Sequence, residues 1–208
     1  MPRIFQPSGG IYLGMTRIYQ LLVLNVLFVV TALPLVTLGA AFSAAYGTSF
    51  KIRNGAEEQL VKTYFRQFKA NFRQSTIIWL GIMLVGGIFY SAYPWVKSFF
   101  QTFPATFYVF ALVLAVLLLA LAYVFPMIAH FASPSGLLLL NSLLLALKHL
   151  PYSLLIFFLF TGVGVLLPVF VPQLFLLWLL LGFGSVIYIS SYWFEKIFAY
   201  YVEEDKGR

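Results

Sequence analysis

The chain has 208 residues, with thirteen Lys and Arg against six Asp and Glu, a net charge of +7. Yet charged residues make up only 9% of it and apolar ones 62%, with a mean hydropathy of +0.95. Soluble domains carry about 25% charged residues, so these values exclude a water-soluble globule. The absence of cysteine excludes disulfides, thiolate metal sites and a cysteine nucleophile.

Hydrocarbon admits only helices and closed barrels, because every backbone group must be satisfied internally. The apolar runs here are long and unbroken rather than alternating, which predicts helices. The fold class expected is an all-α polytopic bundle of about six membrane segments, with five full spans or a re-entrant first hairpin as the variants. Interfacial amphipathic helices complete it, in a single membrane domain. The polar lead-in is too long and the first apolar run too extended for a signal peptide, so the N-terminus is read as mature chain.

In chain order, residues 18–50 carry no charge. As one helix they would measure about 50 Å against a hydrocarbon core of about 30 Å. Pro34 divides them into segments of about 12–33 and 36–53, the second stopping at Asn54-Gly55. Gly39, Ser43 and Gly47 fall at i, i+4 and i+8 among alanines, a face that lets another helix approach closely.

A charged island follows at residues 51–73, holding six of the thirteen basic residues. Within it, Lys62, Arg66, Lys69 and Arg73 form one helical stripe, and Val61, Phe65, Phe68 and Phe72 form the next. Adjacent basic and aromatic stripes predict an interfacial helix over about 58–73 that meets anionic lipid or a partner protein. A span over 74–94 comes next, then an aromatic loop from Pro94 to Pro104 holding Lys97. A strong span over 103–130 is broken at Ser133-Pro134-Ser135-Gly136. A short interfacial helix is expected over 136–149, then spans over 151–167 and 173–194 and a frayed acidic tail.

With six segments and both termini cytoplasmic, twelve of the thirteen basic residues face inward and only Lys97 faces out. The basic excess therefore reads as topology, not nucleic-acid binding. The expected place is a plasma membrane, crossed several times.

Candidate chemistry is sparse. Neither His130 nor His149 sits in a recognisable triad motif, and two histidines without a nearby carboxylate make a poor metal site. Gly162-Val163-Gly164 and Gly182-Phe183-Gly184 lie inside apolar helices and suit packing, not a nucleotide. No acidic residue occurs between Glu58 and Glu195, which argues against a proton-coupled carrier. Asn25 and Thr31, with Thr37 and Thr48, are the main polar groups of the first hairpin. They are expected to bond between helices, or in a second reading to contact a substrate. No catalytic residue, metal ligand or cofactor is expected.

Several stretches resemble the YesL-like family of bacterial membrane proteins, a domain of unknown function. They are Phe5-Gln6-Pro7-Ser8-Gly9-Gly10, Leu24-Asn25, Pro34 with the small-residue helix after Gly39, Arg53-Asn54-Gly55, and residues 65–74 (FRQFKANFRQ). The resemblance covers roughly the first 80 residues; where members often begin the second helix Gly-Pro-Ala-Thr-Ala, this chain reads Gly39-Ala40-Ala41-Phe42-Ser43. It implies a genomic setting beside carbohydrate ABC importers in Gram-positive bacteria. The function expected is a non-enzymatic accessory or regulatory membrane protein of such import, contacting permease subunits or a second copy of itself. The contact surfaces would be the small-residue helix 39–48 and the basic-aromatic helix 61–73. The alternative is a small transporter or channel with a polar cavity at Asn25 and the hairpin threonines.

Overall fold

A computed structural model describes residues 10–55 and 59–206, and all regular structure among these is helical. Helix α1 (Gly10–Ala32) turns through a short 3-10 segment, Leu35–Thr37, into α2 (Leu38–Arg53). Two long helices follow, α3 (Leu60–Thr102) and α4 (Pro104–His130), then α5 (Ser135–Lys148). Next comes α6 (Leu150–Leu159), which passes through a π-helical stretch, Phe160–Leu166, into α7 (Leu167–Phe170). Helix α8 (Phe175–Lys206) closes the chain. Five stretches are long and apolar enough to cross a bilayer: Tyr12–Ala32, Leu60–Thr102, Ala105–His130, Leu150–Phe170 and Pro172–Tyr201. The protein is a multi-pass, all-α membrane bundle.

Helix α2 is the centre of that bundle. It contacts α1, α3, α4 and α8, and Ala40, Ala41, Ala44 and Ala45 have no exposed surface at all. Small side chains make this burial feasible, because four neighbours can then approach one backbone. The helix ends as its sequence dictates. Lys51 and Arg53 occupy its last turn, where cations favour the helix dipole, and Gly55 takes the left-handed conformation at φ +78°. At 16 residues it is about 24 Å long, shorter than a hydrocarbon core of about 30 Å.

The region after the island differs from expectation. The interfacial helix over 58–73, whose first residue lies outside the described residues, and the span over 74–94 are one continuous helix, α3, of 43 residues, about 64 Å long. The basic stripe therefore runs along the bundle and not flat beneath it. The expected loop from Pro94 is absent too, since α3 carries Pro94 in its interior. Membrane helices tolerate such a proline where neighbouring groups re-satisfy the freed carbonyl. The break comes at Phe103, whose φ of −129° and ψ of 77° leave the helical region just before Pro104. Likewise Pro168 lies within α7, and α8 keeps its helical backbone to Lys206 where a frayed tail was expected.

Beyond α2 the bundle thins. Between Ile78 and Leu119, on α3 and α4, no described residue is buried. This hairpin is held by its own aromatic pairs, Phe89–Phe110 at 5.9 Å, Phe100–Phe110 at 5.4 Å and Phe100–Phe107 at 5.6 Å between ring centroids.

Candidate functional site: buried polar contacts and an exposed basic face

Asn25 is fully buried and spends both ends of its amide on one neighbour. Its Nδ2 donates to the Leu179 carbonyl at 2.6 Å, and its Oδ1 accepts from the Gly184 N–H at 2.7 Å. Gly184 is required there: a Cβ would sit 2.9 Å from both the Asn25 Cβ and the Leu21 carbonyl. The second Gly-x-Gly of the sequence thus seats α8 on α1. Thr31 Oγ1 donates to the Leu27 carbonyl at 2.8 Å and lies 2.6 Å from the Tyr64 hydroxyl. Both residues join helices, as interhelical hydrogen bonding requires.

The small-residue face of α2 lies against α3. A Cβ on Gly39 would meet the Ser75 carbonyl and Trp79 Cβ at 2.7 Å. Ser43 Oγ is 2.6 Å from Ser75 Oγ, and Gly47 backs onto the Gln67 side chain. These pairs set α2 and the first half of α3 antiparallel. They also correct one expectation: residues 39–48 are enclosed inside this chain and cannot be a contact surface for another protein. Similar hydroxyl pairs fasten other helices, with Tyr46 to Ser190 at 3.0 Å and Tyr123 to Ser153 at 2.8 Å.

Lys62, Arg66, Lys69 and Arg73 are all exposed on α3. Among the described residues no carboxylate pairs with any of them; the ion pair found is Arg53–Glu195, at 2.6 Å. Beside them Phe65 and Phe72 are 48% and 39% exposed. With Phe68, Lys69 and Arg73 they line a groove of about 440 Å³.

Two contributors were not separable in the sequence. Lys51 joins the basic face from α2, and burial together with the nearby Arg66 charge lowers its pKa below the usual lysine range. Arg53 instead turns to α8, where the Glu195 carboxylate accepts its Nε–H and the guanidinium lies 4.8 Å from the Tyr192 ring centroid. Arg17 donates to the Ile52 carbonyl at 3.2 Å, covering the end of α2.

Three further cavities are apolar in character. The widest, about 950 Å³, lies between α3 and α4 and includes Gly86, Phe89, Phe100, Phe110 and Lys97. A second of about 340 Å³ lies beside the π-helical stretch, among Phe42, Tyr46, Phe160 and Phe183. A third of about 680 Å³ is lined by Met127, Phe131, Asn141, Lys148, Phe198 and Tyr201. Asn25 and Thr31 line none of the four. The histidines have separate surroundings. His130 stacks on Phe198 at 5.1 Å, and His149 Nε2 lies 3.1 Å from the Tyr201 hydroxyl. Among the described residues no three His, Cys, Asp or Glu cluster as metal ligands would.

No curated protein and no solved structure matches the chain. A stretch of residues 21–93, from α1 through α2 and along α3 to Tyr93, matches a family described as "Protein of unknown function, DUF624".

Proposed function

We propose that this is a YesL-like protein of a bacterial plasma membrane, acting as a non-enzymatic accessory or regulatory subunit of carbohydrate ABC import. What supports it most is the α3–α4 hairpin. Gly81, Gly86 and Gly87 have open space where a Cβ would be, and Gly86 lines the groove of about 950 Å³. Lipid tails are as apolar as leucine, so apolar exposure alone argues nothing here. Open glycines beside a groove do, because membrane helices associate by close backbone approach and van der Waals fit. A permease helix would lie in that groove.

The absence of chemistry in this role agrees with where the polar side chains go. Asn25, Thr31, Ser43, Tyr46 and Tyr123 each bond to another helix. Charge sets the orientation, with both termini and the basic face cytoplasmic and Lys97 outside. A cysteine at Lys97 in this cysteine-free chain should then label from outside; labelling of Lys97→Cys from inside would reverse the orientation.

The test of function is a photocrosslinker at Val85 or Tyr90 in native membranes. Recovery of permease subunits, lost in Gly86→Leu, is the expected result. Crosslinks only between copies of this chain would make the hairpin a self-association surface and overturn the importer role. Crosslinks to lipid alone would overturn both.

A further inference from the structure

We infer that the basic face of α3 is a binding site for an anionic phospholipid of the host bilayer, formed jointly by α2 and α3. It is independent of the importer reading. The antiparallel register carries the first step. Gly47 lies against Gln67, so one turn further along α2 Lys51 arrives opposite the opening turns of α3, where Lys62 and Arg66 project. Lys69 and Arg73 continue the line on the next two turns. Five cations thus share one face, and among the described residues no carboxylate pairs with any of them.

Like charges held together oppose each other unless an anion joins them. Elsewhere the fold does supply a carboxylate: Arg53, two residues beyond Lys51, has Glu195. Among the described residues the cations of this face have no such partner.

The second step is the groove beside the charges. Its lining divides by chemistry into an aromatic floor, Phe65, Phe68 and Phe72, and a cationic rim, Lys69 and Arg73. The rings run along the helix, with Tyr64 and Phe68 centroids 6.5 Å apart and Phe68 and Phe72 5.5 Å apart. Phe65 and Phe72 stay 48% and 39% exposed, so apolar surface and charge are presented side by side. A phosphodiester suits the rim and acyl carbons suit the floor. Because α3 is unbroken from Leu60 to Thr102, the apolar part of the same helix begins within a turn of the groove's last residue, Arg73. A free acidic peptide or a soluble phosphate would use the rim and leave the floor bare. A membrane phospholipid uses both.

The test is native mass spectrometry of the full chain released from detergent, titrated with phosphatidylglycerol and with phosphatidylcholine of the same acyl chains. Several cations near one headgroup, at about 1 kcal/mol each beside an anionic surface, should favour phosphatidylglycerol at least about tenfold. The triple variant Arg66→Gln, Lys69→Gln, Arg73→Gln should bring the two lipids level. Phe72→Ala should weaken phosphatidylglycerol while leaving inorganic phosphate unaffected as a competitor. Lys97→Gln, a cation away from this face, should keep the preference. Circular dichroism checks that each variant is folded. Equal binding of the two lipids by the native chain, or a preference that survives in the triple variant, would overturn the site. So would full displacement of the lipid by inorganic phosphate or by an acidic peptide.

Discussion

Gly39 and Gly86 are both glycines inside apolar helices, and the same change to alanine should act on them in opposite directions. At Gly86 nothing lies within 4 Å of the new methyl. The substitution then shows mainly helix propensity, which favours alanine by about 1 kcal/mol. At Gly39 the methyl would come within 2.7 Å of the Ser75 carbonyl and of Trp79 Cβ, and 2.9 Å of Phe125 Cε1. Two of those atoms are backbone or Cβ and move only if α3 moves. Trp79 is further tied by its indole N–H, which donates to the Leu35 carbonyl at 2.7 Å. Overpacking a well-filled interior costs about 1–3 kcal/mol, and the upper end applies where no neighbour can yield. Subtracting the propensity gain leaves Gly39→Ala destabilised by about 2 kcal/mol. The two variants should therefore differ by about 3 kcal/mol. Dodecyl sulfate titration of the purified chain in mixed micelles, followed by circular dichroism, measures both against the native protein. If Gly39→Ala proved as stable as Gly86→Ala, α2 could not be seated against α3 as described.

Asn25→Leu should lose about 1–3 kcal/mol in the same assay, because the Gly184 N–H and Leu179 carbonyl are left inside the bundle; an unchanged stability would mean that α8 satisfies them alone. A double-mutant cycle on Arg53→Gln and Glu195→Gln should give a coupling of about 1 kcal/mol, since each side chain is only about a quarter exposed and the contact is 2.6 Å. A coupling indistinguishable from zero would reduce the pair to a surface contact. Burial and the adjacent Lys148 charge hold His149 below the ordinary histidine pKa. The folded state thus binds this proton less readily than the unfolded chain, so stability should fall as pH drops below about 6.5. His149→Gln should flatten that limb, and an identical pH profile would show that His149 does not contribute.

How far the sequence was readable depends on whether the deciding contact was local. Pro34 and Pro94 carry the same local signal and behave differently. At Pro34 the chain reverses because a hydroxyl is at hand: Thr37 Oγ1 donates to the Thr31 carbonyl at 2.6 Å and to the Pro34 carbonyl at 2.8 Å. Around Pro94 stand Tyr93, Trp95 and Val96, which offer no such cap, and α3 runs on. A capping hydroxyl three residues after the proline was the signal to use, since Ser91, three before Pro94, only bonds back to the Ile88 carbonyl inside α3. The helix-joining roles of Asn25, Thr31, Gly39, Ser43 and Gly47 were legible because polar or small residues in an apolar helix have few other uses. Their partners were not. Asn25 meets α8 across more than 150 residues of chain, and Arg53 meets Glu195 across 142. Nothing in the charged island distinguished Arg53, which pairs with Glu195, from Lys51, which has no carboxylate partner among the described residues.

The length of α2 also explains why so much of α3 and α4 is left unpacked. Helix α2 begins just after the turn at Pro34, and Leu35 of that turn is already level with Trp79. From Trp79 to Thr102 α3 rises about 35 Å further, and neither α1 nor α2 is there to cover it. A lone hairpin in that position meets lipid along both helices. Lipid tails can wet a smooth apolar surface, but an indentation that they fill poorly forfeits dispersion contacts along its lining. The groove of about 950 Å³, widened where Gly86 lacks a side chain, is such an indentation, and its length matches a transmembrane helix of about 20 residues. The chain therefore supplies its own central helix for the first half of α3 and leaves the second half with an open groove.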